Sequence, residues 1–98
     1  MYTYTFDLVA ADEYSTAYGW YNERSDMAAD GFLIAIEETI QLICENPGRY
    51  RNTFNKLREV SLKKYPYSIV YLADDVNKTI LITSVYHHMR DPKKKYRK

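Results

Sequence analysis

Two histidines and an arginine stand in one short run, His87-His88-Met89-Arg90-Asp91-Pro92. Five more cations follow, Lys93, Lys94, Lys95, Arg97 and Lys98, with Tyr96 among them. An imidazole with an unperturbed pKa of about 6.5 can take or give a proton near neutrality. A guanidinium can hold a phosphate through two parallel hydrogen bonds. Such residues at the end of one element suit an anionic partner. Plainer alternatives stand beside this: a solvated basic tail for the lysine run, a strand-end histidine bonded to backbone for His87, and an ordinary ion pair with Asp91 for Arg90. No metal is expected. Neighbouring residues on a strand point to opposite faces, so His87 and His88 make a poor ligand pair, and no other His or Cys cluster exists in the sequence. No cofactor is expected either. The three glycines, Gly19, Gly31 and Gly48, are too dispersed for a phosphate-cradling loop.

The element that carries the run is Thr79 to Tyr86, apolar and rich in β-branched residues. That composition predicts a central strand buried on both faces. Upstream, Tyr2 to Val9 alternates and predicts a half-buried edge strand. From Ala10 the period changes: Ala11, Tyr14, Tyr18 and Tyr21 lie on one helical face, with Asp12 and Glu13 near its start. The helical spacing of the three tyrosines favours a core role over a base-stacking platform. Gly19 weakens this helix, and close packing of two helices is the only reason for it that the sequence offers. Ser25 is a suitable N-cap for a second helix running to about Cys44. Asn46-Pro47-Gly48 ends that helix, and the short connection makes the two an αα-hairpin. Arg49 to Lys56 reads as a polar, cationic loop. Leu57 to Tyr65, Tyr67 to Leu72 and Thr79 to Tyr86 then predict an antiparallel meander. The expected architecture is α+β, β-α-α-β-β-β, with the hairpin packed on a mainly antiparallel four-stranded sheet.

A chain of 98 residues is one domain, 1–98, with one modest core. Eleven tyrosines let large rings build it. No apolar run is long enough to span a bilayer, and a cytoplasmic protein is the default expectation. A single cysteine, Cys44, excludes an internal disulfide and reads as a small core residue. The net charge of +1 conceals a division. Residues 1–45 hold one cation, Arg24, and nine acids; residues 46–98 hold thirteen cations and four acids. If the halves form different layers, one side is acidic and the other basic, which suits a localised anionic partner or plain colloidal charge.

Several segments together resemble the RelE/ParE superfamily of bacterial toxins. They are the element order, the helix ending in Asn46-Pro47, the segment Arg58 to Tyr71 with its aromatic-Pro-Tyr strand, and the ending Ser84-Val85-Tyr86-His87-His88-Met89-Arg90-Asp91-Pro92. The resemblance implies the toxin of a type II toxin–antitoxin pair, held in a hetero-oligomer by a cognate antitoxin. RelE-like members cleave mRNA on the ribosome, whereas ParE-like members poison DNA gyrase. The first activity, metal-independent cleavage of mRNA on the ribosome, is the leading expectation, and for it His87 would transfer a proton. Arg58 and Arg90 would clamp the phosphate from one concave site near it, and Tyr96 would stack on a base or donate a proton. Lys63, Lys64, Lys93, Lys94 and Lys95 would bind or steer RNA. For the second activity the chain needs no chemistry of its own. An inactive, antitoxin-binding member is the third reading.

Overall fold

Asp7 is where the chain changes from strand to helix. Its Oδ1 accepts the Ala10 N–H at 2.9 Å and so closes the first turn of α1, Leu8–Arg24. Before it runs β1, Thr3–Phe6. Ser25 then serves both helices. Its N–H donates to the Tyr21 carbonyl, ending α1, and its Oγ accepts the Ala28 N–H at 3.2 Å, starting α2, Asp26–Glu45. The Ser25 cap anticipated from sequence is therefore present. The computed structural model describes residues 1–89. Arg90, Lys93, Lys94, Lys95 and Tyr96 lie outside the described residues. Among those described, no helix is long and apolar enough to cross a membrane.

After α2, Pro47–Arg49 make a single 3-10 turn, followed by β2, Arg51–Phe54, and β3, Leu57–Ser61. β4, Tyr67–Asp74, and β5, Thr79–His87, complete one sheet in the order β1-β5-β4-β3-β2. The sheet thus has five strands rather than the expected four, and the segment read as a loop holds β2. No apolar alternation announces β2, because it is an exposed edge ribbon. It is held by pairing with β3 and by Asn52 Nδ2, which donates to the Asn55 and Leu57 carbonyls at 2.7 and 3.0 Å. Three of the four strand pairings are antiparallel; β1 pairs with β5 in parallel. β5 is central, as its composition predicts, and β1 is an edge.

The helical hairpin covers one face of this sheet. α2 buries Phe32, Ile36, Ile40 and Ile43 against Ile69, Tyr71, Ile80, Ile82 and Val85. Tyr14, Tyr18 and Tyr21 of α1 are partly buried against the same cluster, in a core role. Cys44 is buried with them, and burial raises its thiol pKa. Gly19 has no neighbour within 4 Å of where a Cβ would stand, so helix–helix packing does not explain it. Gly31 is the glycine that packing requires. A Cβ there would meet Tyr65 Oη, whose hydroxyl donates to the Ala28 carbonyl at 3.3 Å. Gly31→Ala is therefore expected to displace the Tyr65 ring and cost about 1–3 kcal/mol despite alanine's better helix propensity. Urea unfolding of the variant checks this, and equal or greater stability would contradict it.

Candidate functional site

Cross-strand partners share a face of the sheet. Tyr67 stands opposite His87, Ile69 opposite Val85, and Arg58 opposite Tyr71. Arg58 and His87 therefore both belong to the helix-covered face, but to different ends of it. Four residues along β4 and two strand spacings put their Cα atoms about 16 Å apart. The concave site was expected from Arg58 and Arg90 with His87 near it; Arg90 lies outside the described residues, and Arg58 does not stand beside His87. The physical reason lies in the register: Arg58 flanks the middle of β4 and His87 its first residue, on opposite sides of the strand.

Arg58 is engaged locally. Its Nη1 donates to the Tyr50 carbonyl at 2.6 Å and so ties β3 to the segment leaving α2. Beside it, the Tyr71 hydroxyl donates to the Pro47 carbonyl at 2.5 Å. Burial pushes the Tyr71 phenol up to about 12, against a lowering influence from the Arg58 charge. An ion pair of β3 is made by its neighbour: Glu59, almost wholly buried, lies 3.7 Å from the Arg51 guanidinium.

The other end of the sheet holds the more open chemistry. There the last turns of α1 stand off from β4 and β5 and leave a cleft of about 360 Å³. Glu13, Thr16, Ala17, Trp20 and Tyr21 form its helical wall; Pro66, Tyr67, Val85, His87 and Met89 form the rest. The His87 ring meets Tyr67 edge to face at 4.9 Å between centroids. Its Nδ1 accepts the Met89 N–H at 3.0 Å, which places the proton of the neutral ring on Nε2, facing away from that bond. Lys63 and Lys64 are exposed on the turn that leads through Pro66 into β4, at this same end. Lys63 and Lys64 thus precede the β4 residue that stands opposite His87, while Arg58 stands opposite Tyr71.

His88 points the other way, as strand alternation requires. Its Nε2 is 2.9 Å from Ser68 Oγ, which is 3.0 Å from Ser61 Oγ, a hydrogen-bonded chain on the face opposite the helices. The two histidines therefore serve different surfaces.

Two polar or aromatic residues of the cleft, Glu13 and Trp20, were not singled out from sequence for a functional role. Glu13 closes the edge of β5 beyond the end of β1: its Oε1 accepts from Ser84 Oγ at 2.9 Å and from the Val85 N–H at 3.0 Å. A bulge makes this possible, because Val70 faces Ser84 while Tyr71 faces Ile82, leaving Thr83 as an extra residue. Trp20 is half exposed, and the Arg24 guanidinium lies 3.7 Å from its ring centroid. The sequence does carry a signal for this pair. The sole tryptophan stands four residues before the only cation of the first 45 residues, the spacing of neighbours on a helix.

The model of one protein family, the ParE toxin of the type II toxin–antitoxin system parDE, matches residues 4–92. The chain belongs to the ParE toxin family. No curated protein matches it. Among solved structures, this ParE-family chain is similar to one from the chromosomal ParDE system of P. aeruginosa, with 18% identity and a TM-score of 0.62 over 89% of this chain and 96% of that one. It is also similar to a chain of the intact E. coli RelBE toxin–antitoxin complex, with 16% identity and a TM-score of 0.64 over 92% of this chain and 100% of that one. The isolated E. coli RelE toxin gives 16% identity and a TM-score of 0.64 over 93% and 88%. At these identities the likeness is one of fold, shared by ParE-type and RelE-type toxins alike.

Proposed function

We propose that this chain is the toxin of a type II toxin–antitoxin pair, and that it arrests growth by binding DNA gyrase rather than by cutting RNA. The observation that carries this reading is the register that sets Arg58 opposite Tyr71 and His87 opposite Tyr67, on either side of β4 and four residues apart along it, about 16 Å between Cα atoms by ideal strand spacing. Metal-independent RNA cleavage needs a base, an acid and phosphate-holding cations around one phosphate, with proton-transfer partners about 2.6–3.2 Å away. Arg58 instead holds the Tyr50 carbonyl, and His87 Nδ1 is taken by the Met89 amide. A binding toxin needs only a stable, shaped surface. Membership of the ParE family supports the same reading.

The cognate antitoxin is the expected partner, as in the ParDE and RelBE assemblies named above. The helical layer offers such a partner exposed apolar residues, among them Leu8, Val9, Ile34 and Leu42. A second reading, cleavage of mRNA on the ribosome, draws on the place of Lys63 and Lys64 before the β4 residue that stands opposite His87.

One paired experiment separates the two. The toxin is freed of antitoxin and tested on purified gyrase with plasmid DNA, and ribosome-associated mRNA from induced cells is mapped for new 5′ ends. Gyrase-trapped DNA breaks with intact mRNA are expected. Cut mRNA with unaffected gyrase would establish the nuclease reading instead.

A further inference from the structure

The geometry points to the cleft beneath the last turns of α1 as a binding site for one nucleotide, its base laid on Trp20 and its phosphate held from the turn before β4. The inference does not depend on which macromolecule the toxin attacks.

Three observations lead to it. The first is the state of Trp20. A large aromatic ring in a small domain is ordinarily spent on the core. Trp20 instead leaves 51% of its surface open while lining the cleft. It is nonetheless positioned: the Arg24 guanidinium covers one ring face at 3.7 Å, and Arg24 Nη1 donates to the Trp20 carbonyl at 2.8 Å. Tyr21 meets the indole edge to face at 5.0 Å. A ring held this way, with open surface on a cleft, is a stacking platform, and every nucleobase has a π-face to offer it.

The second is the polar content of the walls. With Nδ1 accepting from Met89, the neutral His87 ring presents its N–H at Nε2. Thr16 adds a hydroxyl from α1. An apolar side chain from a partner would cover these groups without pairing them, which costs free energy. A base edge or a ribose would pair them.

The third is where charge lies around the cleft. Lys63 and Lys64 are exposed on the turn that continues into Pro66 and Tyr67, two of the lining residues. Glu13 stands in the α1 wall with Oε1 bonded to Ser84 and Val85. A phosphate therefore belongs at the lysine end, away from that carboxylate. Arg24 adds a cation beside the base, in weak, exposed contact with Glu23 at 4.0 Å. The cleft volume, about 360 Å³, falls within the range of small-molecule sites, about 300–1,000 Å³.

A free nucleotide and a nucleotide exposed in a single strand present the same chemistry, and the test distinguishes them. Trp20 is the only tryptophan in the chain, so its fluorescence reports on this site alone. Full-length toxin, released from its antitoxin, is titrated with adenosine and guanosine 5′-monophosphates, with the matching nucleosides, and with a short single-stranded oligonucleotide. Saturable quenching by the monophosphates is expected, with the nucleosides binding about tenfold more weakly. A much tighter oligonucleotide marks a strand as the source; equal affinity marks a free nucleotide. The Lys63→Gln, Lys64→Gln double variant should lose the advantage of the phosphate while keeping nucleoside affinity. Trp20→Leu, with its fold checked by circular dichroism and its binding followed by calorimetry, should lose roughly fivefold to a hundredfold in affinity. No quenching by any nucleotide overturns the proposal. So does equal quenching by N-acetyltyrosinamide, which would make the cleft a socket for a partner's aromatic side chain.

Discussion

Replacing Phe32 by alanine is expected to remove about 3–5 kcal/mol of stability. Phe32 is fully buried on α2, and its ring meets Tyr14, Tyr21, Tyr65 and Tyr67 with centroids 6.0, 5.0, 5.4 and 5.2 Å away. These partners come from α1, from the turn before β4 and from β4 itself. One side chain thus joins both helices to the sheet, and its loss leaves a cavity that no single element can move to fill. A domain of this size is stable by only about 5–15 kcal/mol in total. The change therefore takes away about a fifth of it or more. Two walls of the cleft, Tyr21 and Tyr67, rest on Phe32, so the site should loosen along with the core. Urea unfolding should show a lower midpoint with an unchanged slope. Phe32→Leu, which keeps most of the volume, should cost much less. A loss below about 1 kcal/mol for the alanine variant would mean that the ring cluster is not the centre of the core.

Raising the pH from 10 to 12 is expected to destabilise the protein progressively through its buried tyrosines. Burial pushes the Tyr71 phenol up to about 12, with Arg58 opposing, and burial also pushes Tyr14 to about 12, helped by the charge of Glu37. The unfolded value is 10.0 for each. The folded state thus disfavours the phenolate. Below pH 10 both states carry the neutral phenol and no stability is lost. Between 10 and 12 the unfolded chain gives up its protons first, so stability falls as pH rises. For Tyr71, fully buried, a shift of this size is worth about 3 kcal/mol. Tyr14 adds to the same trend; its hydroxyl is buried with no hydrogen-bond partner among the described residues. Tyr71→Phe separates the terms. It leaves the Pro47 carbonyl without the Tyr71 hydroxyl, costing about 1–3 kcal/mol at neutral pH, but it should flatten the decline between pH 10 and 12. Urea midpoints against pH, read beside phenolate absorbance, check both parts. A midpoint constant to pH 12 would overturn the assignment.

These expectations rest on features of unequal legibility. The two helices were readable because their signals are local. Ser25 caps, Asn46-Pro47 stops, and the apolar period of α2 depends on no other element. The central place of β5 followed from its two-faced apolar composition. The divergence of His87 and His88 followed from strand alternation alone. The chain also carried its family in the ordered segments around Arg58 to Tyr71 and Ser84 to Pro92, and the match to the ParE family covers both. What the tertiary structure decided lies in pairings between distant residues. β2 exists because Arg51 and Asn52 find Glu59 and Arg58 across a hairpin, and its own side chains, mostly exposed, carry no pattern. The distance from Arg58 to His87 was set by the register of β3 and β5 on β4. Glu13 reached β5 because a one-residue bulge and the early end of β1 freed the Val85 N–H, 72 residues away in the chain. Helix caps and periods are energies between near neighbours, which a sequence displays directly. Register and bulges are settled by which long-range pairing buries the most apolar surface with its backbone groups satisfied, and that comparison exists only once the elements have met.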